Sequence, residues 1–229
     1  KNGDSLDIGK RKIEFIEFNM ENTDILISYL ASEKILFSED FFSQHIASSF
    51  RFDFDINGIE EDALSYFVNY LMPLDKIPDF SKIKIETLAP NHGCIWKEKT
   101  DKIIEDYRIW TKDASKNKIS IIYSSTWRGN EKMAYEIADG LISTGIEVNV
   151  LNFNDQDTGN IATQIFGSRA LVIGCPSSNG GIPPELSSIF SYLNSIGLKN
   201  KSVALFTCYE GKKSPVKILL DNLSILKFD

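Results

Sequence analysis

The residues best suited to hold a ligand are the hydroxyl and amide side chains of SSTWRGN, residues 124–130. This segment follows a run of β-branched residues and precedes a helix-like pattern, so free N–H groups and the positive end of a helix dipole would favour an anion there. Side-chain donors would come from Ser124, Ser125, Thr126 and Asn130. The segment contains neither GxxxxGK[ST] nor GxGxxG, which argues against a triphosphate and a dinucleotide. We expect a phosphate monoester here; the alternative is a loop that only caps the helix.

Two further segments are placed to face the same ligand. PSSNGGIPP starts at Pro176 after a second apolar run, and YEGKKS starts at Tyr209 after a third. Glycines let the backbone approach a flat ligand, and Tyr209 offers a ring for stacking. A ligand with a phosphate at one end and a planar ring at the other is FMN. The residues expected to contact it are Ser125, Thr126, Trp127, Arg128, Gly129, Asn130, Pro176, Ser177, Ser178, Asn179, Gly180, Gly181, Tyr209 and Gly211.

The C-terminal half alternates between strand-like and helix-like patterns, and this alternation positions the three segments. The strand-like runs are KISIIYS, IEVNVLNF, RALVIGC and SVALFTC. Strands that alternate with helices predict right-handed crossovers and a doubly wound α/β domain with a parallel sheet. Ligands bind at the carboxyl ends of such strands, which is where the three segments fall. The first helix pattern places Met133, Ile137 and Leu141 on one face, and a fifth strand is expected beyond Asp229.

The N-terminal half has a looser pattern. Its strand-like runs are RKIEFIEF, ILISYL, KILF and KIKIETLAP, and its helix-like runs are EEDALSYFVNYLM and TDKIIEDYRIW. This half is interpreted as part of an α+β sandwich. The polar run TKDASKNK, residues 111–118, separates the two halves. We predict a first domain at 1–113 and a second at 114–229, the second truncated at its C-terminal end.

Charge and cysteine usage limit the partners and the compartment. A formal net charge of −7, from 25 Lys and Arg against 32 Asp and Glu, argues against nucleic acid, whose binding relies on clustered positive charge. Three widely spaced cysteines with no CxxC pair fit a reducing compartment better than a disulfide framework. No apolar run approaches the roughly 18–20 residues needed to cross a bilayer. We therefore expect a cytoplasmic protein that binds neither nucleic acid nor membrane.

Longer stretches of the chain resemble flavodiiron proteins. IIYSSTWRGNEKMAYEIADGL, ALVIGCPSSNGGIPPELSSIFSYL and FTCYEG are similar to that family's flavodoxin domain. KILFSEDFFSQHIASS, YFVNYLMPL and LAPNHGCIWKEKTDKIIEDYRIW resemble the second part of its metallo-β-lactamase-like domain, in the family's order. The resemblance implies part of an αββα lactamase-like sandwich followed by a doubly wound, flavodoxin-like parallel sheet. It also implies that residues 124–130 hold the FMN phosphate.

The family carries a di-iron centre, and the resemblance assigns two of its ligands. Asp40, in FSEDFF, matches the carboxylate that bridges the irons, and His92, in NHG, matches a terminal histidine ligand. Carboxylate and imidazole both suit redox-active iron. His45, in SQH, matches a family histidine near the centre, and we expect it to support the site rather than to ligate metal.

Two departures from the family affect this metal site. The HxExDH motif, which supplies most ligands of the first iron, is absent, so we expect the chain to begin downstream of it. Glu21 occupies a position where the family places a histidine ligand. Glu21 is either an iron ligand of an altered centre or a solvated residue of a degenerate site, and the sequence leaves both interpretations open.

The flavin region also departs from the family. Ser178 stands where an aromatic residue is common, and Gly211 stands where a Trp is expected. Stacking on the flavin ring would then fall to Trp127 and Tyr209. Arg128, where the family tends to have a small residue, either adds charge for the phosphate or points to solvent.

The resemblance implies an enzyme in which reduced FMN passes electrons one at a time to the di-iron centre, which reduces O2 to water or NO to N2O. It implies a head-to-tail homodimer that receives electrons from a rubredoxin-like or other reductase, and no catalytic residue beyond the metal ligands. The alternative, motivated by Glu21, is an FMN-binding electron carrier whose lactamase-like domain is a metal-free scaffold. A zinc hydrolase is a weaker hypothesis, because it also needs a histidine-rich motif and leaves the flavodoxin domain unexplained.

Overall fold

A computed structural model describes residues 3–20, 23–112, 115–177, 180–209 and 214–228. The chain divides into two compact units. The first comprises Lys1–Phe67 and Leu74–Asp113, and the second comprises Val68–Pro73 and Ala114–Asp229. Over the described ranges, no helix has both the length and the apolar character that crossing a membrane requires.

The first unit contains a five-stranded sheet. Its strands are β1 (Ser5–Ile8), β2 (Arg11–Met20), β3 (Thr23–Leu30), β4 (Ile35–Phe37) and β5 (Thr87–Ala89). They lie side by side in chain order. Neighbours from β1 to β4 are antiparallel, whereas β4 and β5 run parallel, with Phe37 opposite Ala89. The carboxyl ends of β4 and β5 therefore meet at the same edge of the sheet.

The helical segments of the N-terminal half include the two helices that the sequence pattern predicts. They are a 3-10 turn (Asp53–Asp55), α1 (Ile59–Tyr66), a π-helical turn (Phe67–Leu71) and α2 (Thr100–Trp110). The helices predicted over residues 60–72 and 100–110 are confirmed. The strand predicted over residues 82–90 is shorter, because β4 offers only three residues for pairing with β5. Ahead of β5, the Lys84 carbonyl accepts a hydrogen bond from the Tyr29 hydroxyl at 2.6 Å instead of joining the ladder.

Large aromatic side chains fill much of the interior of the first unit. Trp96, Tyr107, Phe41 and Phe42 are all fully buried. The indole Nε1 of Trp96 donates to the Phe42 carbonyl at 2.7 Å, and the Phe42 N–H donates to the Tyr107 hydroxyl oxygen at 2.9 Å. Buried polar groups are costly unless they are hydrogen-bonded. These two bonds therefore fix the segment that follows β4.

The second unit alternates strands and helices throughout. In chain order its elements are β6 (Lys116–Tyr123), α3 (Gly129–Ile142), β7 (Glu147–Asn152), α4 (Thr158–Phe166), β8 (Ser168–Gly174), α5 (Pro184–Ser195), β9 (Ser202–Phe206) and α6 (Val216–Ile225). The strands form a parallel sheet in the spatial order β7, β6, β8, β9. The predicted doubly wound α/β fold is confirmed. The fifth strand expected beyond Asp229 stays a prediction.

The core of the second unit lies between the central strands and α3. Ile121 and Phe206 pack there with two small residues of the helix, Ala134 and Ala138. Small side chains let α3 approach the sheet closely. Gly174, at the end of β8, has a similar role, since a Cβ there would overlap the Phe206 ring.

Candidate functional site

The candidate ligand site lies at the carboxyl edge of the parallel sheet. β7 lies on one side of β6 and β8 on the other, so the winding direction reverses between β6 and β8. Doubly wound sheets bind ligands at such a switch point. Three segments emerge at this edge: the first loop (residues 124–128, after β6), the second loop (175–183, after β8) and the third loop (207–215, after β9).

The first loop begins buried and ends exposed. Ser124 is buried, and its N–H donates to the carbonyl at the end of β8 at 3.0 Å. Ser125 is half-buried, whereas Thr126 is exposed. Arg128 is exposed and has φ 61°, and its Nε donates to the Glu131 carboxylate at 2.7 Å. With the first N–H groups of α3, these residues form an accessible polar surface of the kind that binds anions.

Two exposed aromatic rings border the same edge. Trp127, in the first loop, is 91% exposed, and Tyr209, in the third loop, is 48% exposed. Both follow strands of one parallel sheet, so both lie at its carboxyl edge. Aromatic rings that protrude in this way can stack on a planar ligand.

Hydrogen bonds connect described residues of the second and third loops. The N–H of Gly180 donates to Ser177 Oγ at 3.1 Å. The Thr207 hydroxyl donates to the Cys175 carbonyl at 2.7 Å, which ties the start of the third loop to the start of the second. Of the predicted flavin residues in this loop, those that are described are all half-buried: Pro176, Ser177, Gly180 and Gly181. Three other predicted residues lie outside the described part of the chain: Ser178, Asn179 and Gly211.

Asn130 joins the first and third loops. Its side chain is 2% exposed. The Nδ2 atom donates to the Ser124 carbonyl at 3.1 Å, and Oδ1 accepts from the Cys208 N–H at 2.9 Å. A Cβ on Gly129 would lie 3.1 Å from Cys208 Sγ, so the backbone at the start of α3 runs directly against the third loop.

Two buried groups beside this edge stay neutral at neutral pH. Burial raises the pKa of Tyr123 to about 12, with smaller contributions from Tyr135 and Glu131. Burial also raises the pKa of the Cys175 thiol to about 11.

The predicted metal ligands Asp40 and His92 are brought together in the first unit. Asp40 follows β4 and His92 follows the parallel neighbour β5. His92 Nε2 lies 3.6 Å from Asp40 Oδ1, and the two side chains are 50% and 49% exposed. The His45 ring centroid lies 5.3 Å from that of His92 and 4.8 Å from that of Tyr66. Glu21 lies outside the described residues.

A buried glutamine holds together the two segments that carry these residues. The N–H of Gln44 donates to the His92 carbonyl at 3.2 Å, and Gln44 Oε1 accepts from the Cys94 N–H at 2.7 Å. Gly93 has φ +87°, and a Cβ there would overlap Gln44 Oε1. Nothing in the sequence pattern marks Gln44, although a glycine directly after His92 is a signal of a tight turn.

The donor types suit iron, but the described residues do not complete a site. A carboxylate and an imidazole are suitable iron ligands, and Asp40 and His92 supply one of each. Across the described ranges, no group of three or more His, Cys, Asp or Glu side chains is arranged to hold a metal ion. Asp40 and His92 therefore fit as part of a ligand set, and a di-iron centre needs further ligands from outside the described residues.

The flavodoxin family profile matches residues 121–223, which makes the second unit a flavodoxin-like domain. A nitric oxide reductase of Moorella thermoacetica is 35% identical over 239 residues, covering 100% of this chain and 60% of that protein. An uncharacterized protein of Methanocaldococcus jannaschii is 38% identical over 231 residues, covering 96% of this chain and 59% of that protein.

Solved structures resemble both halves of the chain. The flavodiiron protein from Giardia intestinalis matches with a TM-score of 0.90 and 25% identity, over 100% of this chain and 59% of that one. The rubredoxin oxygen:oxidoreductase from Desulfovibrio gigas matches with a TM-score of 0.87 and 28% identity, over 100% of this chain and 60% of that one. The chain belongs to the flavodiiron protein family. It spans about three-fifths of the length of these relatives.

Proposed function

We propose that the full-length protein is a flavodiiron oxidoreductase, in which FMN passes electrons to a di-iron centre that reduces O2 to water, NO to N2O, or both. One observation carries the proposal: a single chain combines the three loops of a flavodoxin-like sheet with the close pair Asp40 and His92 on another sheet. Both gases are considered because one relative is named a nitric oxide reductase and another a rubredoxin oxygen:oxidoreductase.

Residues of the three loops would hold FMN. The N–H groups at the start of α3, with the hydroxyls of Ser125 and Thr126, would bind the phosphate. Arg128 lies one position before α3 and would add positive charge to that end. The exposed rings of Trp127 and Tyr209 would cover the isoalloxazine, with the second-loop backbone along its edge. When bound, FMN supplies one-electron transfer chemistry.

Asp40 and His92 would supply a carboxylate and an imidazole to the iron centre. His45 and Tyr66 border the His92 ring and would restrict its orientation. The remaining ligands lie outside the described residues. Glu21 is proposed to be one of them or, if the site is degenerate, a solvated residue.

The proposal extends to assembly, partner and location. We propose a cytoplasmic, head-to-tail homodimer that receives electrons from a rubredoxin-like protein or another reductase. The name of the matched rubredoxin oxygen:oxidoreductase supports such a donor. The three separated cysteines, with no CxxC pair, support a reducing compartment. The domain limits 1–113 and 114–229 belong to the same proposal.

An FMN-binding electron carrier with a metal-free first domain is the second candidate. It is motivated by Glu21, which occupies a position where the family places a histidine ligand. In this candidate the first domain would be a scaffold, and Asp40 and His92 would form an ordinary half-exposed pair.

Cofactor analysis of the full-length protein separates the two candidates. Flavin would be released and identified by chromatography, and iron would be measured by elemental analysis on the same sample. The reductase requires FMN equimolar with the chain together with bound iron. FMN without iron would support the carrier, and the absence of both would contradict the proposed function.

A further inference from the structure

The polar atoms of the Asn130 side chain form hydrogen bonds within the protein and are not left free for a ligand. Asn130 is 2% exposed, and its amide bonds to two backbone groups, the Ser124 carbonyl and the N–H of Cys208, which lies 78 residues beyond Asn130 in the sequence. We propose that Asn130 is a positioning residue, which fixes the distance between the phosphate side and the ring side of the flavin site. This inference rests on the proposed FMN site, and it replaces the sequence-based expectation that Asn130 donates to the phosphate.

An amide is suited to this role because it carries a donor and an acceptor on one short, planar group. The donor engages Ser124, where the first loop begins, and the acceptor engages Cys208, directly before Tyr209. Removing the amide would leave the buried Ser124 carbonyl and the partly buried Cys208 N–H without these partners, which is unfavourable. The third loop would then no longer be hydrogen-bonded to the first through this side chain.

The contacts around Cys208 support a direct connection between the loops. Its Sγ lies 3.4 Å from Met133 Sδ on α3. A Cβ on Gly129 would come within 3.1 Å of the same sulfur. Cys208 therefore rests on the first turns of α3, and its exposure depends on how closely the third loop is held.

In this role Asn130 differs from a residue that touches the phosphate. Riboflavin has the isoalloxazine ring of FMN but lacks the phosphate. A side chain that only binds phosphate matters for FMN and not for riboflavin. A side chain that sets the separation of the two loops matters for both, because the ring packs against the loop that Asn130 holds.

The first test measures binding of FMN and of riboflavin to the flavin-free, full-length protein by quenching of flavin fluorescence. Asn130→Ala is expected to weaken the binding of both ligands by about tenfold, as for loss of one or two hydrogen bonds. Ser168→Ala is the matched control, since Ser168 is fully buried, bonds to Ser120 and Gln164, and begins β8 at the opposite edge of the sheet. The control is expected to bind both ligands as the wild type does. The inference would be overturned if only FMN binding were weakened, or if the binding of neither ligand changed.

A second test needs no flavin. Cys208 is exposed whereas Cys94 and Cys175 are buried, so the alkylation rate of each thiol, read by mass spectrometry of its peptide, reports local opening. Asn130→Ala is expected to speed alkylation of Cys208 several-fold and to leave Cys94 unchanged, whereas an unchanged Cys208 rate would overturn the inference. If the wild type binds neither flavin, the proposed function fails; faster Cys208 alkylation in Asn130→Ala would then still support the connection between the loops.

Discussion

His92 Nε2 lies 3.6 Å from Asp40 Oδ1. The strand register explains this distance: Phe37 pairs with Ala89, and each of the two side chains stands three positions beyond its member of that pair. Because β4 and β5 are parallel neighbours, the Asp40 carboxylate and the His92 imidazole lie next to each other at one edge of the sheet. The pair is half exposed, so both groups remain accessible to a metal ion.

Removal of either member of this pair should reduce iron binding. In Asp40→Asn and His92→Ala, we expect the iron content of the full-length protein to fall by more than about tenfold, because each variant would lose a proposed ligand. FMN content should not change. Elemental analysis and flavin absorbance on one sample measure both quantities. Asp7→Asn, on the exposed strand β1, is the control; iron retained in both site variants would contradict the assignment.

Asp53 should be important for the stability of the first unit. Its buried carboxylate accepts backbone hydrogen bonds from Lys97, Glu98 and Lys99, at distances from 2.7 to 3.3 Å. Asp53→Ala should lower the free energy of unfolding by about 2 kcal/mol or more, because buried N–H groups lose a charged acceptor. Urea unfolding measures the change. Asp55→Ala, two positions away and exposed, should cost less than about 0.5 kcal/mol; equal losses would refute the role of Asp53.

A pair of glycine substitutions should have opposite effects. A Cβ at Gly174 would overlap atoms of the Phe206 ring, so Gly174→Ala should destabilise the second unit by about 1–3 kcal/mol. Gly140 lies within α3, and a methyl group there would meet open space, so Gly140→Ala should stabilise by up to about 1 kcal/mol. Thermal unfolding of the two variants and of the wild type shows whether each substitution raises or lowers stability. A neutral Gly174→Ala would show that the ring moves aside without cost.

Glu60 should make a small contribution to stability that depends on pH. Partial burial opposes its ionisation, but hydrogen bonds from Lys102 and Lys99 outweigh this and lower its pKa to about 2. A folded-state pKa below the unfolded value near 4.5 gives stability that is complete above that value and is lost as the pH falls towards about 2. The partly exposed pair limits the effect to less than about 1 kcal/mol.

The measurement compares Glu60→Gln with the wild type. Their unfolding temperatures should differ at about pH 6 and converge at about pH 2. Glu61→Gln is the neighbouring control on the same helix, α1. A difference that does not change with pH would show that Glu60 acts through packing and not through its charge.

Local patterns predicted most of the elements correctly. α2 occupies Thr100–Trp110, the residues of its apolar spacing, and the four parallel strands fall on the four β-branched runs. The predicted face of α3 was less accurate. Ile137 and Leu141 pack against the core, but Met133 is 37% exposed, and the residues buried beneath the helix are alanines. Alanine contributes little to an apolar pattern, although it decides how closely a helix approaches a sheet.

The parts of the sites that escaped prediction depend on contacts between distant residues. Asp40 and His92 were assigned from family resemblance, and their proximity required the parallel register of β4 and β5. Nothing in the sequence connects Asn130 with Cys208, or Gln44 with Cys94, because each hydrogen bond joins segments that only the fold brings together. Residue types indicated the chemistry, whereas the supporting hydrogen bonds followed from tertiary structure.

The most direct test of the central claim follows electrons from the flavin. Full-length protein would be reduced without oxygen and mixed with NO or with O2, while flavin absorbance and gas consumption are recorded together, for the wild type and for Asp40→Asn. We expect rapid flavin reoxidation coupled to gas consumption in the wild type with at least one gas, and a loss of that coupling in Asp40→Asn. Equal rates in the two proteins, or no consumption of either gas by an iron-loaded wild type, would contradict the central claim.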